Sequence, residues 1–599
     1  MCGIIGYVGT DRGDAAEVLL EGLSQLEYRG YDSAGIALAN GELDVHKREG
    51  ELAELEAALS TARLGDEAVG VGHTRWSTHG PPSDRNAHPH TDEDGRVAVV
   101  HNGIIENYQA LRDELAADGV EFRSETDTEV VPHLIATFLD RGLAPETAFR
   151  RAIDRLEGSY AIAAVFAGSE TVYAARHESP LVLGVAADGY YLASDVPAFI
   201  EYTDRVIYLD DGEFARLEAD EIAVTDGNGE VVETSIETVE WDAEDAGKSG
   251  YDHYMRKEIN EQPSALRECF RGRLDELTGR VSLEGFDELE LSTPITFVAC
   301  GTSAHAAMFG AQLLRKWGVP AHAFLASEFD ARSMPLGSES TIVGVTQSGE
   351  TADTLRALRE ANGAGATTLA VTNTVGSSAA RETDETLYIR AGPEISVAAT
   401  KTFASQQAAL TMLAAELSDH RSRELVRELR AVPDRIQSVL DSSSAREIAE
   451  LYCDADAYFF IGRGANYPVA LEGALKMKEI TYEHAEGFAA GELKHGPLAL
   501  VSENTPVFAV VTGDGRRTEK TIGNVKEVEA RGTPVVAVTD GRSEVGRYAD
   551  HVLEIPPAGD VTSAILANVQ LQLAAYWTAN ELGRSIDKPR NLAKSVTVE

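Results

Sequence analysis

Ile295-Thr296-Phe297-Val298-Ala299-Cys300-Gly301-Thr302-Ser303 is an apolar run that breaks into a turn of small, hydroxyl-bearing residues. It reads as a buried strand ending ahead of a helix. The same form returns 161 residues later in Ala457-Tyr458-Phe459-Phe460-Ile461-Gly462-Arg463-Gly464. Two more landmarks repeat in order. Thr341–Gly349 is matched by Pro506–Gly513, with the closing glycines 164 apart. Leu369–Thr372 is matched by Val535–Thr539, with the threonines 167 apart. Three landmarks at nearly one offset mark two copies of one α/β unit. Strands alternating with helices build parallel sheets, which bind ligands beyond the carboxyl ends of their strands.

Towards the amino terminus the organisation changes. Short strands (Gly3–Val8, Ala34–Leu38, Val97–Val100, Tyr160–Phe166, Thr171–Arg176) mix with helices. Thr126-Asp127-Thr128-Glu129 is a capping-box pattern ahead of a helical stripe of Val130, Val131, Leu134, Ile135, Phe138 and Leu139. A helix is predicted to begin there. The polar, acidic stretch Trp241–Gly250 reads as a linker. The expected organisation is therefore a first domain over 1–240, a linker over 241–250, two α/β repeats over 251–435 and 436–589, and a tail over 590–599.

The chain has 599 residues and a mass of 64.3 kDa, too long for one hydrophobic core. Asp and Glu number 98 against 53 Lys and Arg, a net charge of −45, and only 12 of the cations are Lys. Such a charge gives no general affinity for nucleic acid or for an anionic membrane. It suits a protein kept soluble in strong salt, where self-repulsion is screened. Cys2, Cys269, Cys300 and Cys453 form no CxxC pair, so neither a disulfide framework nor a cysteine zinc site is expected. No apolar run reaches membrane-spanning length, and no basic segment precedes the first strand. A soluble, cytoplasmic location is expected.

Cys2 follows the initiator Met, whose removal would leave a thiol beside a free α-amine able to act as its base. On position alone, Cys2 reads better as a small residue opening a buried strand. Other segments tip the balance. In His73-Thr74-Arg75-Trp76-Ser77-Thr78-His79-Gly80 the Arg75 fork suits a carboxylate. Asn102 and Gly103 of His101-Asn102-Gly103 could donate to an oxyanion, and Asp127 could pair with an ammonium group. Together these groups describe an amino-acid amide being hydrolysed. His73, His79, His88, His90 and His101 match no zinc spacing, and no metal is expected.

These motifs, with Tyr28-Arg29-Gly30-Tyr31-Asp32-Ser33 and Asn86-Ala87-His88-Pro89-His90, resemble the class II glutamine amidotransferases. The resemblance implies an N-terminal-nucleophile αββα sandwich with Cys2 as nucleophile and Asn102 with Gly103 as oxyanion hole. Arg75, Thr78, His79 and Asp127 would hold glutamine.

In the second half, Gly301-Thr302-Ser303 and Gln347-Ser348-Gly349-Glu350-Thr351 are turns of the kind that cradle phosphate. Neither matches a nucleotide fingerprint, which favours a sugar phosphate. Glu472, Lys476, Glu479 and Glu483 fall on one helical face, and from spacing alone they read as a solvated, salt-bridged stripe. Gly491-Glu492-Leu493-Lys494-His495-Gly496-Pro497 is a polar loop with a titratable His. The tail Pro589–Glu599 is not acidic, which is unusual in this chain.

These segments resemble the sugar-isomerase (SIS) half of the isomerising, glutamine-dependent fructose-6-phosphate aminotransferases, across essentially the whole chain. The resemblance implies an αβα architecture for each SIS subdomain. It places fructose 6-phosphate on Thr302, Ser303, Gln347, Ser348 and Thr351, beside Val397, with Thr346 replacing a usual serine. Lys594 would form a Schiff base, His495 would assist ring opening, and Glu479 would move a proton between C1 and C2, aided by Lys476. Trp76 would gate an ammonia passage, and the Arg590–Glu599 tail would cover the sugar site. No cofactor is implied, since the substrate carbonyl serves as electron sink, and a homodimer is expected. Other amidotransferases would need a phosphoribosyl-diphosphate motif or an SGGxDS loop, and a sugar-sensing regulator would need a DNA-binding helix-turn-helix. None is found.

Overall fold

Strands rich in Ala, Val and Gly allow close approach of two sheets in the first part of the chain. The computed structural model describes residues 2–10, 15–61, 67–239, 247–286 and 291–597. They divide into two compact units, Met1–Ala246 with Ala593–Glu599, and Gly247–Leu592. Residues 241–246 of the expected linker lie outside the described residues.

In the first unit, Gly3–Gly9 lies inside an eight-stranded sheet, paired antiparallel with Val69–Arg75 on one side and Gly189–Ala193 on the other. A six-stranded sheet carries Val97–Ile105, paired antiparallel with Gly158–Phe166. Ile4, Val8, Val71, Ala98, Val100, Ala161, Ala163 and Ala174 pack together between the two sheets. Helix Ala15–Leu26 packs on the first sheet. Helices Val130–Asp140 and Pro145–Ile153 cover the second through Val130, Leu134, Phe149 and Ile153. This is the αββα sandwich that the motifs imply.

The helix expected at Thr126 starts instead at Val130 and has no side-chain cap. The capping residues are used elsewhere. Thr126 Oγ1 bonds His90 Nε2 at 3.0 Å, Asp127 accepts the Ile105 amide at 2.9 Å, and Glu129 accepts the amides of Arg123 and Ser124, each at 2.7 Å. Long-range partners outcompete the local cap.

The second unit contains the duplication. One five-stranded parallel sheet runs Ala321–Leu325, Ile295–Ala299, Thr341–Val345, Thr367–Thr372, Glu385–Tyr388 in spatial order. The other runs Ala485–Ala489, Tyr458–Gly462, Val507–Val510, Val535–Thr539, His551–Glu554, also parallel throughout. The orders are identical. In each sheet the chain reverses direction across the sheet between its first and third strands, which opens a crevice at their carboxyl ends. Helix Thr562–Glu581 is buried nearly all round rather than along one stripe, as expected of a helix inside a large core. The boundary expected at 435/436 falls inside the continuous helix Arg423–Ser442. Among the described residues, no helix is long and apolar enough to cross a membrane.

Candidate active sites

Cys2 sits at the mouth of the central strand Gly3–Gly9, and the pairing of Gly3 with Thr74 brings the end of Val69–Arg75 beside it. The Trp76 amide donates to Cys2 Sγ at 3.2 Å, and the thiol donates to the Trp76 carbonyl at 3.4 Å. Burial pushes the thiol above its ordinary pKa, with the Trp76 amide and Arg75 pulling the other way. The thiol therefore needs a base on hand to become a nucleophile.

Asn102 arrives from the facing sheet. Its Nδ2 donates to the Cys2 carbonyl at 2.8 Å, while His73 Nε2 lies 3.1 Å from its Oδ1 and 3.0 Å from the His101 carbonyl. Burial, the dominant influence, lowers the His73 pKa to about 3, so the ring is neutral and serves to fix the amide. Gly103 has φ +127°, and a Cβ there would lie 2.0 Å from the Ser159 carbonyl oxygen, so only glycine fits beside Asn102.

Arg75 is buried. Its Nη2 donates to the carbonyls of His79 and, at 3.2 Å, Gly80, whereas Nη1 is enclosed without a partner among the described residues. An unpaired buried guanidinium nitrogen is costly and marks a place for an anion. Thr78 is exposed, and its hydroxyl lies 3.3 Å from His79 Nδ1. Asp127 is buried and meets the strand of Asn102 through the Ile105 amide. The Trp76 ring is half-buried, edge-on to Tyr31 at 5.7 Å. His73 and His88 stack at 4.2 Å, and His101 Nδ1 lies 2.9 Å from Thr128 Oγ1. Among the described residues no group of three metal-binding side chains is arranged to hold an ion. Motif reading missed two supports of the thiol. Arg29 reaches the Cys2 carbonyl at 3.4 Å and pairs with Asp195 at 2.6 Å, and the Tyr28 hydroxyl donates to the same carboxylate.

In the second unit, the turn after Ile295–Ala299 and the turn after Thr341–Val345 lie side by side at the crevice of the first sheet. Thr346 is buried. Its Oγ1 accepts the Gly349 amide at 3.2 Å and lies 2.9 Å from Thr351 Oγ1, so it orders the turn. Ser303 Oγ accepts from Gln406 Nε2 at 2.9 Å, and Val397 is buried.

The helical stripe is not solvated. Glu472 and Lys476 are 0% and 1% exposed, because helix Asn466–Thr481 packs against helices Thr562–Glu581 and Gly301–Lys316. Lys476 Nζ reaches Glu479 at 2.5 Å, Glu472 at 3.3 Å and Thr302 Oγ1 at 3.1 Å. Thr302 donates to Glu472 at 3.0 Å, and His305 Nδ1 lies 2.7 Å from its other oxygen. Burial opposes the Lys476 charge, but the two carboxylates outweigh it and hold the ammonium protonated. The participation of Glu472 and His305 was not foreseen; His305, one helical turn after Thr302, was the available signal. His495 is exposed on the turn Glu492–His495 and makes no hydrogen bond to this cluster. Lys594 is half-buried and groups with the first unit.

A thiol-headed two-sheet sandwich joined to paired parallel sheets defines a glutamine amidotransferase fused to sugar-isomerase domains. Residues 73–201 match the glutamine amidotransferase domain family, and residues 289–416 and 451–581 match the SIS domain family. Along its full length the chain is 52% identical to glutamine–fructose-6-phosphate aminotransferase (isomerizing) of Halobacterium salinarum, with 100% of both chains covered. It is 49% identical to that of Symbiobacterium thermophilum, again with 100% of both covered. The C-terminal domain of glucosamine-fructose-6-phosphate aminotransferase from Francisella tularensis is 36% identical, with a TM-score of 0.53 over 57% of this chain and 100% of that one. The chain belongs to the glutamine–fructose-6-phosphate aminotransferase (isomerizing) family.

Proposed function

We propose that the chain converts glutamine and fructose 6-phosphate into glutamate and glucosamine 6-phosphate, with the residues of the two sites in the following roles. Arg75, through Nη1, with Thr78 and His79, holds the α-carboxylate of glutamine, and Asp127 holds its ammonium group. After removal of Met1, the α-amine of Cys2 takes the thiol proton. The sulfur attacks the carboxamide, and Asn102 with Gly103 stabilises the oxyanion. Ammonia leaves, and water releases glutamate from the thioester.

Thr302, Ser303, Gln347, Ser348 and Thr351 hold the sugar phosphate beside Val397, in a turn shaped by Thr346. His495 assists ring opening, and Lys594 forms a Schiff base at C2. Ammonia replaces Lys594 as the C2 imine, Glu479 carries a proton from C1 to C2, and the C1 hydroxyl proton passes to the imine nitrogen, which leaves an aldehyde at C1 and an amine at C2. Lys476 keeps Glu479 ionised between transfers. Trp76 gates the passage of ammonia, and the tail covers the sugar. The carrying observation is the hydrogen-bonded chain Thr302–Lys476–Glu479, which ties the phosphate-cradling turn to a proton-transferring carboxylate.

The test is a paired product assay. Glutamate and glucosamine 6-phosphate should form in equal amounts. Cys2→Ala should abolish use of glutamine, and Lys594→Ala should abolish sugar conversion. Undiminished synthesis in either variant refutes the role, as does full activity in a chain that retains Met1.

A further inference from the structure

We infer that the second repeat carries a ligand site of its own, which binds the phosphate group of a small phosphorylated metabolite. This goes beyond the proposed reaction, which holds its sugar phosphate in the crevice of the first repeat and takes Lys476, Glu479 and His495 from elsewhere in the second.

A cavity of about 690 Å³ lies at the crevice of the second sheet, beyond the ends of Tyr458–Gly462 and Val507–Val510. Its backbone repeats that of the first crevice. Gly301 and Gly464 follow equivalent strands with φ of +52° and +58°, and Gly349 and Gly513 do so with +72° and +73°. The side chains differ. Besides the hydroxyls of Thr512, Thr518 and Thr521, the second crevice is lined by Arg463, Asn466, Arg516 and Arg517, joined by Arg315 and Lys316. Five cations thus face one carboxylate, Asp560, which is paired with Lys316 at 3.2 Å. In a chain of net charge −45, this is a local inversion of sign.

Among the described residues, one donor is enclosed without a partner, and two exposed cations have no carboxylate of their own. Arg516 and Arg517 make no ion pair among the described residues. Arg463 Nη2 donates to Asn524 at 3.0 Å, but its Nε is enclosed without a partner. Asn466 is 8% exposed, and its Nδ2 donates to Thr512 Oγ1 at 2.9 Å, which holds that hydroxyl at the cavity wall. A Cβ on Gly464 would meet Arg517 Nη1 at 2.8 Å, so the bare turn lets that guanidinium close over the cavity. Converging, uncompensated guanidinium groups repel one another, and a dianionic phosphate both neutralises them and matches their fork geometry.

The experiment is equilibrium dialysis of the full chain against labelled inorganic phosphate. Arg516→Ser/Arg517→Ser should lose one bound phosphate per chain while glucosamine 6-phosphate synthesis is unchanged, which shows that the variant folds. Ser348→Ala/Thr351→Ala should retain that phosphate. If the arginine variant binds as much phosphate as the parent, the inference is overturned. If the first-crevice variant binds as much as the parent, the sugar-site reading fails instead. Competition then separates the sources: displacement by fructose 6-phosphate assigns a sugar phosphate, and displacement by uridine diphosphate a nucleotide. Displacement by neither overturns assignment to a metabolite.

Discussion

Gly103 shows how one position serves both backbone and chemistry. Gly103→Ala forces a left-handed conformation on alanine and drives its Cβ into the Ser159 carbonyl, at a cost of about 2 kcal/mol or more. The displaced strand carries Asn102 with it, so glutamate release should fall at least about tenfold and the thermal midpoint should drop. Glu129 sets a pH dependence. Burial alone would raise its pKa, but the His133 ring 3.8 Å away and hydrogen bonds from Arg123 and Ser124 prevail and hold it at about 2. A depressed carboxylate stabilises the fold above its unfolded pKa near 4.5, and that contribution is lost as pH falls from there through 2. The upper bound is about 3 kcal/mol. Acid unfolding of Glu129→Gln should be flatter in that window; an unchanged profile would contradict the assignment. At this scale the residues to which the glutamine chemistry is assigned, Cys2, Arg75, Asn102 and Asp127, were legible as residue types in suggestive positions. Their supports, His73 and Arg29, were not, because an orienting hydrogen bond across 29 residues leaves no local pattern.

Helix Asn466–Thr481 is the element on which spacing misled. Glu and Lys at i, i+4 and i+7 have the same periodicity whether the face meets water or two other helices, and only packing distinguishes them. Burial makes the cluster costly to break. Glu472→Gln should destabilise the second unit by about 3 kcal/mol in urea unfolding, whereas Glu472→Leu/Lys476→Met should be nearly neutral in stability. Both should abolish sugar conversion and leave glutaminase activity intact. The same helix ends at Tyr482 in a left-handed conformation, φ +67°. The Tyr482 hydroxyl accepts the Arg590 amide at 3.0 Å, and the Arg590 and Arg584 guanidinium groups lie 4.5 and 5.5 Å from the ring. The root of the tail is thus anchored to the end of the helix that carries Glu479. Tyr482→Phe keeps the ring and removes the acceptor. It should lower kcat for sugar conversion severalfold with little change in thermal midpoint; equal loss of both would indicate a merely structural contact.

For the whole molecule, net charge sets the conditions of stability. With −45 charges, repulsion reaches about 30 Å at 0.01 M salt but only about 3 Å at 1 M. The thermal midpoint should rise by at least about 10 °C between 0.1 and 3 M KCl, and a flat response would show that the acidic surface is not matched to salt.

The sequence by itself determined the two-part architecture and the duplication, because period-2 strands, positive-φ glycines and small-residue turns are local necessities that recur wherever the backbone recurs. It also carried the class of chemistry, because a thiol at position 2 and hydroxyl-rich turns are chemical facts before folding. Tertiary structure decided which polar residues are buried, which caps are diverted to distant partners, and how guanidinium groups from separate elements gather at the second crevice. Burial and pairing depend on neighbours hundreds of residues away, and desolvation, which no short window encodes, sets the energy of each charge.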